Sequence, residues 1–229
     1  MKILFFDTET TGLPPRKRVL DVTTWPSIVQ LSYIIYDPDA DTVLKIYDSV
    51  VKVKEDVVIS EGSVALHGIS RAISQEKGRE IEFVLDDFYE DVTKVDLVVA
   101  HNMDFDLNVM KVEFMRLALL HADLRATYKK CLDYLDTIKQ CNHNSYCTMQ
   151  STIYVCNIEA ITKNGDKYKK YPKLVELYKH LFNNEQPNNL HNALNDVVVT
   201  MRCFMKLKYD RDLITSERED IQRLFDRIR

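Results

Sequence analysis

The chain changes its hydrophobic period from place to place, and each change predicts an element. Ile3 to Phe6 is wholly apolar, as in a strand buried on both faces. Ser27–Tyr36 and Thr42–Val53 are β-rich, and the turn-forming stretch Asp37-Pro38-Asp39-Ala40-Asp41 between them predicts a meander. From Glu80 to Val92 the spacing lengthens, with Ile81, Val84, Leu85 and Phe88 on one helical face. Leu97–Ala100 reads as another short buried strand, followed by helical periodicity from Phe105 to about Leu120. Lys173–Phe182, Leu190 to about Lys208 and the charged stretch Ser216–Arg229 are further helices by pattern. Neither glycine nor proline occurs between Arg79 and Asn164 or from Asn188 onward, so long uninterrupted elements fit there. Strands first, then helices interleaved with short strands, predict an α/β fold with a mixed sheet flanked by helices. The stretch 122–171 supports no single assignment. With no repeat, low-complexity tract or Ser/Gly linker, one domain spanning 1–229 is expected, with a core to about residue 209 and a charged C-terminal helix over 210–229.

Composition narrows the function classes. A chain of 229 residues can bury about 70% of its surface without a disulfide or structural metal. Hydrophobic residues at 45% and charged residues at 29% exclude disorder and fibrous repeats. Lys plus Arg number 31 against 35 Asp plus Glu, a net charge of −4. That balance argues against coating long nucleic acid by bulk charge, yet leaves room for a small, locally basic site. Five cysteines, no secretory signal and no membrane-length apolar run predict a soluble, intracellular, reduced protein. Cys141, His143, Cys147 and Cys156 lack the paired short knuckles of structural zinc sites, so they read as ordinary thiols.

Three polar interruptions carry the chemistry. At the end of the first strand stands Asp7-Thr8-Glu9-Thr10-Thr11-Gly12-Leu13. Residues two apart on a strand share a face, so Asp7 and Glu9 project together. Two such carboxylates beside an apolar core repel each other and resist desolvation, and a divalent cation between them removes both penalties. Taken alone, Asp-x-Glu also fits an acidic turn at a strand end. The second interruption, His101-Asn102-Met103-Asp104-Phe105-Asp106, follows a buried strand and opens a helix. Asp104 fits helix capping, while Asp106 lies one turn further in. The third, His191-Asn192-Ala193-Leu194-Asn195-Asp196, heads a helix. Five residues of helix turn through about 140°, so His191 and Asp196 converge only if His191 stands before the helix.

Together, Asp7-x-Glu9, Asp106 and His191-x4-Asp196 resemble the three motifs of the DEDDh exonucleases, the DnaQ-like family that includes bacterial proofreading epsilon subunits. The resemblance runs from Ile3 to about Leu207, and Ala65-Leu66-His67-Gly68-Ile69-Ser70 resembles a connecting segment common in the family. It implies a ribonuclease H-like fold and four carboxylates holding two Mg²⁺ or Mn²⁺ ions about 4 Å apart. Asp7 would bridge the ions, Glu9 and Asp196 would complete the tighter site, and Asp106 would hold the second ion partly through water. His191 would be the general base. By the same resemblance, Glu9 and the backbone after it touch the terminal ribose, Leu13 wedges against the last base, and Asn102 and Phe105 line the cleft. Thr8, Thr10, Thr11 and Gly12 belong to the same substrate-binding loop.

Two basic clusters flank these motifs. Arg16-Lys17-Arg18 follows the first, and Lys167, Lys169, Lys170 and Lys173 with Tyr168 and Tyr171 precede the third. Tyrosine stacking with lysine–phosphate contacts is how single strands are gripped, although the second cluster fits a solvated loop equally well. The leading expectation is a 3′→5′ exonuclease on single-stranded or frayed DNA ends, releasing 5′-mononucleotides. Two alternatives remain: an exoribonuclease trimming RNA 3′ ends, since the motifs do not read the 2′-hydroxyl, and a proofreading subunit docked to a polymerase through the exposed face of Ser216–Arg229. No membrane association is expected.

Overall fold

The structure, a computed structural model, describes residues 1–16, 19–140 and 144–229. In chain order the elements are β1 (Ile3–Thr10), β2 (Ile28–Asp37), β3 (Thr42–Val50), α1 (Glu61–His67), α2 (Arg71–Lys77), α3 (Ile81–Val92), β4 (Leu97–Ala100), α4 (Met103–Leu120), α5 (Arg125–Gln140), β5 (Ser145–Cys147), α6 (Thr148–Ser151), α7 (Ile153–Cys156), β6 (Glu159–Ile161), β7 (Lys167–Lys169), α8 (Leu174–Leu181), α9 (Ala193–Tyr209) and α10 (Glu219–Phe225).

The main sheet runs β3-β2-β1-β4-β5. The meander β1-β2-β3 is antiparallel, whereas β1, β4 and β5 are mutually parallel, which makes the sheet mixed. Its two faces explain the continuous apolar run in β1. Leu4 and Phe6 join a core with Val84, Leu85 and Phe88 of α3 and Leu107 of α4. Ile3 and Phe5 point the other way, into a core with Val197, Val198 and Phe204 of α9. A strand sandwiched between helices has no face left for polar residues.

β1 runs on past the apolar stretch to Thr10, with Asp7 and Glu9 on the strand as their two-residue spacing expects. The structure departs from the sequence expectations in three places. α1 and α2 were not anticipated; each is short and begins at a serine, Ser60 or Ser70, whose side chain accepts a backbone N–H of the first turn. Within 122–171 the longest element is α5, which lays Tyr128, Cys131, Leu135 and Ile138 against the α4 side of the core. Finally, the C-terminal helix covers only Glu219–Phe225, and Ile221, Leu224, Phe225 and Ile228 are buried in the α9-side core. Charge therefore faces outward there, but the segment is packed into the body.

Candidate active site

The site forms where β1 outruns its parallel neighbour. β4 pairs with β1 only through Ile3–Phe5, leaving the residues after Phe5 without a strand on that side. Asp7 and Glu9 share the face that packs on α9, as Ile3 and Phe5 do. Thr8 points to the opposite face, where its backbone N–H (3.2 Å) and hydroxyl (2.7 Å) both donate to Asp106 Oδ1. A carboxylate from the first turn of α4 thus takes over the edge of β1 that β4 has vacated.

Asp196 arrives from the other layer. Asn192 caps α9, its side chain accepting from Asn195 N–H, and Asp196 lies in the first turn. Gln30, paired with Glu9 across the sheet, accepts the Ala193 N–H at 3.2 Å and so ties the start of α9 to the strands. His191 stands before the helix with φ 66°, exposed, and its backbone N–H reaches the Asp196 carboxylate at 3.3–3.4 Å. This is the off-helix placement that convergence demands.

One ligand oxygen each from Asp7, Glu9 and Asp196 can lie within 4.8 Å of one another, and Asp106 stands outside this trio, held by Thr8. Among the described residues no Lys or Arg makes an ion pair with any of the four. Burial and mutual repulsion consequently hold their protons on. Asp7 is raised well above the usual range by burial and by Asp106, Asp196 and Glu9. Glu9 is pushed up to about 8, by burial first and then Asp196 and Asp106. Asp106 rises to about 7 by burial, although the Thr8 bonds oppose it. Asp196 also rises to about 7 by burial, opposed by the His191 N–H. An all-oxygen donor set with unneutralised negative charge fits hard divalent cations, which relieve the repulsion protons would otherwise relieve.

The loop after Glu9 is braced from within. Thr10 Oγ1 donates to the Gly12 carbonyl, and Thr11 exchanges bonds with Ser27 through its N–H and hydroxyl. The hydroxyls of Thr8, Thr10 and Thr11 are therefore engaged inside the protein, and what these residues present outward is backbone. Leu13, in contrast, is 89% exposed, and Arg16 is exposed beside it. Lys17 and Arg18 lie outside the described residues, as do Cys141 and His143 of the cysteine cluster; Cys147 and Cys156 are free thiols. Asn102 precedes α4 in a left-handed conformation, φ 71°, and half-buried Phe105 stacks on Trp25. Asp104 accepts from Gln150. A cleft of about 690 Å³ is lined in part by Thr11, Gly12 and Leu13, and none of the four carboxylates lines it.

Sequence reasoning noted the segment containing His67 and passed over its role. Ile69 N–H donates to His67 Nδ1 at 3.0 Å, so the ring proton sits on Nε2, which faces the Thr10 carbonyl at 3.3 Å. Gln30 was missed as well, since a lone glutamine on a strand gives no signal before its partners are known.

Comparison with known structures gives the fold independently. Escherichia coli exonuclease I in complex with a dA16 oligonucleotide is 19% identical with a TM-score of 0.59, the match covering 98% of this chain and 42% of that one. The same enzyme with dT13 gives 19%, 0.61, 97% and 45%. A moderately thermophilic exonuclease I from Methylocaldum szegediense gives 14%, 0.59, 92% and 41%. This chain thus spans about two-fifths of the length of those proteins. No curated protein matches its sequence. The sequence profile of the exonuclease family, RNase_T, matches residues 4–204, a span that contains all three acidic motifs on a ribonuclease H-like fold; the chain belongs to this family, the DEDDh-type exonucleases.

Proposed function

We propose that this protein is a metal-dependent 3′→5′ exonuclease that hydrolyses single-stranded or frayed DNA ends and releases 5′-mononucleotides. The observation that carries the reading is the convergence of Asp7, Glu9, Asp106 and Asp196 with no counter-cation among the described residues. Asp7, Glu9 and Asp196 would hold one divalent cation, and Asp7 with Asp106 a second, Mg²⁺ or Mn²⁺. Bound there, the cations supply the charge neutralisation that in-line phosphoryl displacement requires.

The chain's own residues account for the rest. Water attacks the last phosphodiester; a P–O bond forms, the P–O3′ bond breaks, and the penultimate 3′-oxygen gains a proton. His191, exposed just before α9 with its backbone N–H on the Asp196 carboxylate, is the group that would take the proton from water. Backbone of Thr10–Gly12 and the exposed Leu13 would seat the terminal nucleotide, with Asn102 and Phe105 on the opposite wall. The oligodeoxynucleotides bound to the exonuclease I structures support a DNA strand as substrate.

The test is digestion of matched 5′-labelled DNA and RNA single strands with Mg²⁺. A ladder shortening from the 3′ end of DNA, with 5′-mononucleotide products, is expected. Comparable cutting of a closed circle would refute the exonuclease reading, and faster release of ribonucleotides would replace DNA by RNA as substrate.

A further inference from the structure

β1, β4 and β5 run in parallel, so their carboxyl ends lie at one edge of the sheet, where Asp7, Glu9 and Asp106 stand. The chain leaves β5 at this same edge and makes an excursion through α6, α7 and the β6–β7 hairpin before α8. Both ends of the excursion are fastened beside the acidic site. Thr148, just after β5, lies 2.9 Å from His101 Nδ1, and His101 Nε2 donates to the Pro172 carbonyl at 3.2 Å. His101 immediately follows β4 and precedes Asn102, at the start of the helix that carries Asp106. Burial lowers His101 to about 4, so the ring is a neutral tie.

Among the described residues the hairpin belongs to no larger sheet and β6 pairs only with β7, while Gly165 at φ 90° closes its turn. Its composition opposes that of the whole chain. Residues 157–173 carry five lysines against two carboxylates, in a protein of net charge −4. Three rings stand out from it or its base: Tyr154 is 79% exposed, Tyr171 54% and Tyr168 49%. Lys167 and Lys169 pair with Glu159, and Lys170 with Glu176, which stiffens the hairpin while its net charge stays positive. Exposed aromatic rings set among lysines, on an excursion whose two ends are tied through His101 beside an acidic site that repels phosphate, are the make-up of a single-strand platform.

We propose that the β6–β7 hairpin, with Tyr154, Tyr168 and Tyr171, is an arm that grips single-stranded nucleic acid upstream of the nucleotide being removed. The inference rests on the exonuclease reading for which strand arrives there, but its binding test does not require turnover. Tyr168 and Tyr171 would stack bases, and the lysines would follow the backbone.

The experiment pairs two substrates. A p-nitrophenyl ester of thymidine 5′-monophosphate reaches only the terminal site, whereas an oligothymidylate of about fifteen nucleotides reaches the arm. Tyr168→Ala and Tyr171→Ala are each expected to raise the KM for the oligomer about tenfold and leave ester hydrolysis unchanged, while Tyr168→Phe behaves as wild type. Lys163→Gln with Lys167→Gln should flatten the salt dependence of oligomer binding, read by fluorescence anisotropy in a chelator. Wild-type affinity for the oligomer in both alanine variants would overturn the arm. Tyrosine-dependent oligomer binding by a wild-type protein that hydrolyses neither substrate would uphold the arm and refute the exonuclease reading.

Discussion

Thr8 and Asp106, ninety-eight residues apart, are joined twice, the Thr8 N–H and hydroxyl both donating to one carboxylate oxygen. This contact fastens α4 to the free edge of β1 and sets one carboxylate of the candidate site apart from the other three. The side chain between Asp7 and Glu9 in the first motif thus has a definite task.

Thr8→Val keeps the shape and removes the hydroxyl. A hydrogen bond to a charged group is worth about 1.5–3 kcal/mol. We expect the variant to need about tenfold more Mg²⁺ for half-maximal activity, and Thr8→Ser to restore the wild-type requirement. Equal Mg²⁺ midpoints in all three proteins would show that the backbone contact alone holds Asp106.

The acidic cluster makes stability depend on pH. Unfolded, these carboxylates titrate near 4; folded, Asp106 and Asp196 titrate at about 7 and Glu9 at about 8. Between those limits the native state holds the extra protons, so stability falls as pH rises through the window. The penalty is absent below about pH 4 and is still growing as Glu9 titrates at about pH 8. In a chelator, Tm should drop from pH 5 to pH 8 more in the wild type than in Asp7→Asn, and Mg²⁺ at pH 8 should raise it in the wild type only. Identical pH dependence in the two proteins would mean that the cluster does not carry the repulsion assigned to it.

His67 Nε2 faces the carbonyl of Thr10, the residue after Glu9. Glutamine can keep the donor to the Thr10 carbonyl, and asparagine can keep the acceptor for Ile69 N–H. We therefore expect His67→Asn to lower kcat about tenfold at similar KM, and His67→Gln to recover most of it. The reverse ranking would assign His67 to the α1 turn, where Gly68 at φ 74° follows it.

His191→Ala separates base catalysis from binding. Loss of a general base lowers turnover by about 10²–10⁴-fold. KM for an oligonucleotide and the Mg²⁺ midpoint should stay near wild type, and added imidazole should return part of the activity. A fall of less than about threefold would leave proton transfer to another group.

The periodic elements were legible in the sequence because their signal is local. Apolar runs and stripes marked β1, β4, α3, α4 and α9, and a strand buried on both faces has only one way to read. The five candidate site residues stood out through the family resemblance that their motifs carry together; taken alone, Asp-x-Glu also fits an acidic turn at a strand end. α5 was legible in principle, since Tyr128, Cys131, Leu135 and Ile138 keep a helical stripe through a stretch without glycine or proline. Other features were decided only by tertiary packing. That Asp7, Glu9 and Asp196 form the close trio while Asp106 bonds Thr8 depends on where β4 stops and how α9 is tied to Gln30. The bracing of Thr10 by His67, and the fastening of the hairpin through His101, are contacts between segments far apart in the chain. A sequence carries burial preference residue by residue, but a hydrogen bond across dozens of residues exists only once packing has brought its two ends together.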